Sequence, residues 1–359
     1  MEKETVLVGL SGGVDSAATA VILKEQGYHV IGATMLIWDP SLPVPQNGHQ
    51  KNACLAPEKE DLSEIHAIVE KLQIEFLTVD CREEYKHTVL DNFRLEYSCG
   101  RTPNPCVLCN SLIKFGVLPS AAEKQGIKFD KFATGHYARV EKDVKTGKYL
   151  LKKALDLSRD QSYFLHRLKQ EQLSRVLFPL GEKTKPEIRE KARQAGLVVA
   201  DKEDSMDFYC GDYNDLLNFP NKPGDMITID GKVVGKHLGI WNYTIGKRKG
   251  LGLSGFAEPM YVVKINVDKN QVIIGPKSAL YSNTLRADNV SWIAGEPPAE
   301  KFDCEIKIRN LHVPAKAQVQ INKEGGFTAT FQAPQMSITA GQSAVLYQED
   351  VVLGGGIIL

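Results

Sequence analysis

The chain has 359 residues, and its 44 basic and 44 acidic side chains leave a formal net charge of +0. Its 43% hydrophobic and 25% charged residues are globular proportions, which exclude a disordered or fibrous chain, and the length calls for two or three domains rather than one core. With no net charge there is no global field to draw in nucleic acid, so any RNA contact must come from a local basic patch.

The first element is an apolar run, Thr5–Leu10, that reads as a buried strand. A Gly-rich turn, Leu10-Ser11-Gly12-Gly13-Val14-Asp15-Ser16, leads into Ala17–Gln26, whose apolar residues recur at helical spacing before Gly27. Strand, glycine turn and helix N-terminus together make an anion site. Glycines let backbone N–H groups approach a phosphate, and the helix dipole adds positive potential. The turn lacks the Lys-Ser/Thr pair of the common ATPase loop and the third glycine of the dinucleotide fingerprint.

Strands and helices then alternate. His29–Met35 reads as a strand, and Trp38–Ala56 as a long irregular loop of the kind that covers a site. Pro57 suits a first helical position, with an amphipathic helix over Glu58–Leu72. Glu75–Val79 is a strand, Arg82–Tyr97 a helix, and Lys131–Thr134 a strand that ends at Gly135-His136. This rhythm predicts an α/β fold: a parallel sheet with helices on both faces and ligands at the carboxyl ends of the strands. The turn at Ser11–Ser16, Met35 and Gly135-His136 all fall at such ends. A hairpin, Tyr137–Glu141 with Tyr149–Lys153, and a helix, Pro186–Ala195, follow. Beyond Gly211 the segments are short and β-rich, with hairpins at Met226–Val234 and Met260–Gly275. From Tyr281 they alternate as an antiparallel barrel does: Cys304–Arg309, Ala317–Ile321, Phe327–Phe331 and Ala344–Tyr347. The expected division is residues 1–211, a nucleotide-binding catalytic domain, then 212–280, a small β-rich domain, then 281–359, a C-terminal β-barrel.

Seven cysteines, an odd number with no signal peptide before them, point to a reduced cytoplasmic protein whose thiols serve catalysis or metal binding. No apolar run is read as reaching the roughly 20 residues of a membrane span, so no membrane partner is expected. Two thiol segments stand out. Arg101-Thr102-Pro103-Asn104-Pro105-Cys106-Val107-Leu108-Cys109-Asn110 precedes an apolar helix, Leu112–Ala122, and a cysteine near a helix N-terminus is expected to have a lowered pKa. Asp204-Ser205-Met206-Asp207-Phe208-Tyr209-Cys210-Gly211 places another cysteine in a polar turn. Cys106 and Cys109 are also half of a zinc site, for which Cys99, Cys210 or His136 would complete the ligands. By spacing alone, catalysis and metal binding stand level.

Ser-Gly-Gly-Val-Asp-Ser resembles the PP-loop of the ATP pyrophosphatases. Taken in order with Asn-Pro-Cys-Val-Leu-Cys-Asn, Ala-Thr-Gly-His-Tyr-Ala-Arg (Ala133–Arg139), Arg-Asp-Gln-Ser-Tyr-Phe-Leu (Arg159–Leu165), Phe-Tyr-Cys-Gly and Tyr-Thr-Ile-Gly-Lys-Arg-Lys-Gly-Leu-Gly (Tyr243–Gly252), it closely resembles the tRNA-specific 2-thiouridylases, from Val6 to the end. The resemblance implies ATP-dependent 2-thiolation of the wobble uridine of tRNA. The C2 oxygen is adenylated, and a cysteine persulfide then delivers sulfur, giving 2-thiouridine, AMP and pyrophosphate. It implies Cys210 as the persulfide carrier and Cys109 as its partner, with a Cys109–Cys210 disulfide left behind. It implies ATP contacts at Gly9, Leu10, Ser11, Gly12, Gly13, Val14, Asp15, Ser16, Met35 and Gly135, with Mg2+ on the phosphates. It implies tRNA or target-base contacts at Asn104, Pro105, Cys106, His136, Asp160, Gln161, Ser162, Arg309, Asn310 and Gln342. The partners implied are tRNAs for Glu, Gln and Lys and a cysteine desulfurase or sulfur-relay protein.

The chain departs from the family pattern in a few places. Cys106 stands where many members have Asp, Lys247 where Gln is usual, and Asn310 where Tyr is common. The first change sets a Cys-x-x-Cys beside Cys210, so a [4Fe–4S] cluster held by Cys106, Cys109 and Cys210 is the alternative mechanism. Two further readings differ in class: another PP-loop ligase or amidotransferase, and a non-catalytic RNA-binding or zinc module. Lys247-Arg248-Lys249, a basic run between glycines, is the candidate phosphate grip.

Overall fold

Leu7 packs into one apolar cluster while its neighbours Val6 and Val8 pack into another. Side chains alternate along a strand, so a strand apolar at every position belongs inside a sheet covered on both faces. A computed structural model describes residues 3–44, 53–205 and 207–359. It places Thr5–Gly9 at the centre of a five-stranded parallel sheet, in the order Glu75–Asp80, His29–Leu36, Thr5–Gly9, Lys131–Ala133, Val176–Leu177. The helix Val14–Glu25 covers one face, with Lys185–Gln194 packed against it. The thiol-bearing helix and Arg82–Ser98 cover the other.

Several boundaries differ from the sequence reading for local reasons. The expected helix over Glu58–Leu72 is interrupted: Pro57–Glu60 is a short 3-10 turn, and Asp61, extended, accepts the Ser63 N–H at 2.9 Å before Ser63–Leu72 begins. The expected loop Trp38–Ala56 contains a strand, Ala53–Leu55, which pairs in parallel with Asp207–Tyr209. Residues 45–52 of that loop, and Met206 of the second thiol segment, lie outside the described residues. The apolar helix starts earlier than Leu112. It runs from Pro105 to Lys124 and is by length and composition apolar enough to cross a membrane, contrary to the sequence reading. Here Val107, Ile113, Phe115, Leu118 and Ala122 are buried, the last four of them in the core beneath the sheet. Its middle, Cys109–Val117, is π-helical, a widened winding often found at functional sites.

The small β-rich unit is built from Gly224–Thr228, Val233–His237, Tyr261–Asn266 and Gln271–Gly275 around Met226, Val262, Val272 and Ile274. The barrel closes when Val351–Ile358 pairs with Tyr281–Trp292, completing a ring through Phe327–Met336, Ala315–Ile321, Lys301–Lys307 and Ser343–Gln348. The sequence reading had missed both closing strands. The hairpin Ala138–Lys142 and Tyr149–Lys153 extends this same sheet, pairing Val351 with Lys152 and Val352 with Leu151. Asp350 accepts from Arg139 at 2.7 Å and pairs with Lys152 at 3.2 Å, which fixes the joint. The hairpin follows Gly135-His136 directly, so one short segment links the nucleotide end of the parallel sheet to the barrel.

Leu7 is fully buried. Leu7→Ala is expected to destabilise the fold by about 3 kcal/mol, the cost of a core leucine truncation, read as a lowered urea midpoint with an unchanged slope.

Candidate active site at the carboxyl end of the parallel sheet

The glycine turn holds itself open by its own hydrogen bonds. Ser16 Oγ accepts the Ser11 N–H at 3.1 Å, donates to the Gly13 carbonyl at 3.1 Å and lies 3.2 Å from Ser11 Oγ. Gly12 has φ +70, a conformation that L side chains rarely adopt. Gly13 is the N-cap of Val14–Glu25 and no side chain caps that helix, so its first N–H groups are left for an anion. Gly135 closes the other wall. A Cβ there would lie 2.7 Å from the Asp15 carbonyl carbon and 2.8 Å from the Ser16 nitrogen, so only glycine lets this strand end approach the first turn of the helix so closely. Gly9, Leu10 and the Ser11–Ser16 turn thus adjoin Gly135. Met35, on the adjacent strand, packs against the apolar cluster on the thiol side.

Asp15 does not face solvent alone. Lys185, the first residue of its helix and 6% exposed, donates to both Asp15 carboxylate oxygens at 2.8 Å and reaches Asp204 at 2.6 Å. The Tyr137 hydroxyl donates to Asp15 at 3.0 Å. Burial and the Asp15 charge push the Tyr137 phenol well up. Asp204 is also bonded by Arg159 at 2.8 Å. Burial pushes the Asp204 carboxyl up, but Lys185, Arg159 and Arg189 outweigh it and hold it below its ordinary value. Lys202 donates to the Gly12 carbonyl at 3.3 Å and pairs with Glu64. Sequence reasoning had assigned no part to Lys185, Tyr137, Asp204, Arg159 or Lys202. Tyr137, Arg159 and Asp204 do lie within the quoted motifs. The signal for Lys185 was a cation at the start of an otherwise capped helix.

Cys106 and Cys109 stand in the helix Pro105–Lys124, and Cys81 and Cys210 follow strands. Cys81 follows Glu75–Asp80, its N–H bonded to the Leu36 carbonyl at 2.9 Å, and burial pushes its thiol up to about 12. The Lys114 ammonium acts on Cys106, Cys109 and His136 together. The sequence reading expected lowered thiol pKa values, and the structure reverses this. Cys106 and Cys109 keep some surface, yet protein surrounds them, and burial pushes them up to about 12 and about 11. Cys210 is 1% exposed, and burial raises it too. All seven cysteines are free. Among the described residues, no three Cys, His, Asp or Glu side chains are gathered to hold a metal ion. The donor set required by zinc or a [4Fe–4S] cluster is therefore not assembled by Cys106, Cys109 and Cys210.

Of the residues matched to tRNA contacts, several are engaged within the chain. His136 is buried between Phe115 and Phe178, its Nδ1 is 2.7 Å from Thr134 Oγ1, and burial pushes its pKa well down, so the ring is neutral. Asp160 accepts from the Ala154 N–H at 3.1 Å and the Ser162 hydroxyl at 2.9 Å, and Ser162 is fully buried. Gln161 accepts the Tyr137 N–H at 2.9 Å. Gln342 donates to the carbonyls of Thr102 and Pro103 at 2.8 and 3.2 Å. The Thr102 N–H bonds to Ala340 at 2.8 Å, so the barrel pins the strap that carries Asn104 and Pro105 into the thiol helix. Arg309 donates to the Met336 carbonyl at 3.2 Å, and Asn310 is half-buried beside it. Lys247, Arg248 and Lys249 are exposed, though Lys247 also donates to the Asn242 carbonyl at 2.8 Å.

Residues 4–210 match the family described as tRNA methyl transferase HUP domain, 217–276 its PRC-barrel domain, and 282–358 the aminomethyltransferase beta-barrel domain. The chain is 53% identical over 361 residues to the tRNA-specific 2-thiouridylase MnmA of Endomicrobium trichonymphae, covering 100% of both chains. It is 44% identical over 372 residues to that of Paraburkholderia phytofirmans, covering 100% of this chain and 94% of the relative. For Heliobacterium modesticaldum the identity is 43% over 366 residues, covering 99% and 93%. Methyl transfer appears only in the family descriptions; these relatives, matched from end to end, are named for thiouridine formation.

Lys185→Met leaves Asp15 and Asp204 facing each other without their shared cation. It is expected to weaken ATP binding at least tenfold by calorimetry and to destabilise the fold by about 3 kcal/mol. At pH 8 a thiol held at about 11 is ionised in about one molecule in a thousand. Alkylation of Cys109 by iodoacetamide in the ligand-free enzyme should therefore be slow. It should rise tenfold per pH step up to about 11, which peptide mapping would follow.

Proposed function

The chain belongs to the tRNA-specific 2-thiouridylases, and from that premise we propose that it thiolates the wobble uridine through an adenylated base and a persulfide on Cys210. It is an ATP-dependent tRNA sulfurtransferase that forms 2-thiouridine. The observation that supports the finer reading is that Cys210 lies in one apolar cluster against which Cys106, Cys109 and the strand-end residue Met35 also pack. Activation and sulfur delivery both need one base, so they need one cavity.

The glycine turn and the free N–H groups of Val14–Glu25 hold the triphosphate, with magnesium carried on its own oxygens. A flipped uridine attacks the α-phosphorus through O2, pyrophosphate leaves, and the N3 proton is lost. The terminal sulfur of the Cys210 persulfide then attacks C2. Cys109 attacks the inner sulfur of Cys210, the Cys109–Cys210 disulfide forms, and the electron pair freed on the transferred sulfur expels AMP as the C2–S double bond closes. His136, neutral in its apolar setting, is suited to orient the base through hydrogen bonding rather than through charge.

Cys109 and Cys210 start covered and protonated. On this reading, tRNA and ATP must displace part of that cover before either thiolate forms. The Asn104–Cys106 strap is the element placed to move, because the barrel holds it through Gln342 and the Ala340 carbonyl. Arg248 and Lys249 supply exposed positive charge for phosphates.

Purified enzyme given ATP, a persulfide donor and tRNA, with nucleosides read by mass spectrometry, tests this. Cys109→Ala and Cys210→Ala should each lose 2-thiouridine by at least a thousandfold yet keep tRNA-dependent pyrophosphate release. Thiouridine formed by either variant at near wild-type rate would overturn the assignment.

A further inference from the structure

Lys202 precedes Asp204 by two residues, and the fold brings it against the glycine turn. Its ammonium donates to the Gly12 carbonyl at 3.3 Å and is held there by Glu64, in the first turn of Ser63–Leu72. No other donor among the described residues reaches that carbonyl. The ends of the turn are pinned from within. Ser16 Oγ accepts the Ser11 N–H, and the Gly13 carbonyl accepts from Ser16 Oγ at 3.1 Å and from the Ala17 N–H at 3.2 Å. Between those ends lies the Gly12–Gly13 peptide, with glycine on both sides. Rotating it changes only ψ of Gly12 and φ of Gly13, and glycine accepts either sign of φ, so the two residues do not choose its orientation. In a planar trans peptide the carbonyl and the N–H point opposite ways. With the Gly12 carbonyl drawn to Lys202, the Gly13 N–H is turned the other way.

We propose that Lys202 is a positioning residue for the nucleotide: it latches the Gly12–Gly13 peptide so that the Gly13 N–H, rather than the Gly12 carbonyl oxygen, meets the triphosphate. The inference rests on the reading above, in which this turn holds the triphosphate. A carbonyl oxygen turned inward sets the negative end of a dipole against phosphate oxygens and removes one donor from the anion site. The latch acts on the peptide and needs no contact between Lys202 and ATP. The segment that leads to Cys210 thereby sets the shape of the nucleotide turn.

Gly13 supplies the test. Its φ of −103 suits any residue, and a Cβ there would meet Ser11 Oγ at an ordinary 3.5 Å, but the rotated peptide needs a positive φ that alanine resists. Binding of ATP with magnesium is measured by calorimetry on full-length wild type, Lys202→Met, Gly13→Ala and the double variant. Lys202→Met should weaken binding at least tenfold in the native turn, but less than threefold when added to Gly13→Ala. In protein carrying isotope-labelled glycine, without ATP, Lys202→Met should shift or split the Gly13 amide resonance, which is identified by its loss in Gly13→Ala. Equal weakening in both backgrounds, or an unmoved Gly13 resonance, would overturn the latch and leave the parent reading standing. Wild type that binds ATP no more tightly than adenosine would overturn both.

Discussion

One buried ammonium ties the nucleotide end of the molecule to the segment that leads to Cys210. Lys185 touches Asp15 in the glycine turn and Asp204, six residues before Cys210 in the chain. A cation taken out of water this far needs compensation from more than one partner, and two carboxylates and a nearby tyrosine ring supply it. The arrangement makes the turn and the second thiol segment mechanically dependent on each other.

Burial, rather than helix geometry, governs the thiols. Cys106 stands in the first turn of a helix, where the dipole favours a thiolate by about 1 kcal/mol at an exposed site. Burial against the large apolar cluster acts the other way and wins. A covered, protonated resting state suits sulfur chemistry, because a thiolate left open next to bound persulfide would discharge it before tRNA arrived. The π-helical winding that begins at Cys109 gives the helix a place to change pitch when the cover moves.

The α/β core and the glycine turn were legible because they depend on local sequence. Val6, Leu7 and Val8 announce a two-faced strand, and no side chain larger than glycine fits at Gly135. What escaped was non-local. Ala53–Leu55 is three residues long and becomes a strand only by pairing with Asp207–Tyr209, more than 150 residues later. Lys185 gains its part only where the fold places two carboxylates around it. Ser162 and Gln342 matched RNA contacts by motif, but their polar groups are already bonded inside the chain, which no motif reveals. The lowered thiol pKa failed for a related reason: a helix terminus can be read from sequence, but its desolvation cannot.

The barrel is bonded directly to the strap that leads into the thiol helix. Gly341 has φ +90, and a Cβ there would lie 2.9 Å from the Thr102 nitrogen and oxygen, so the barrel turn and the strap approach as closely as backbones allow. Gln342 then bonds the strap on its carbonyl side while Ala340 bonds it on its amide side. Arg101, next in line, is held by Glu96, in the helix beside the parallel sheet, through two guanidinium nitrogens. Thr102 and Pro103 are thus bonded to the barrel and Arg101 to the sheet's own helix, so the strap joins the two. RNA that draws the barrel toward the parallel sheet must therefore shift Asn104, Pro105 and the first turn of the thiol helix, and that turn carries Cys106.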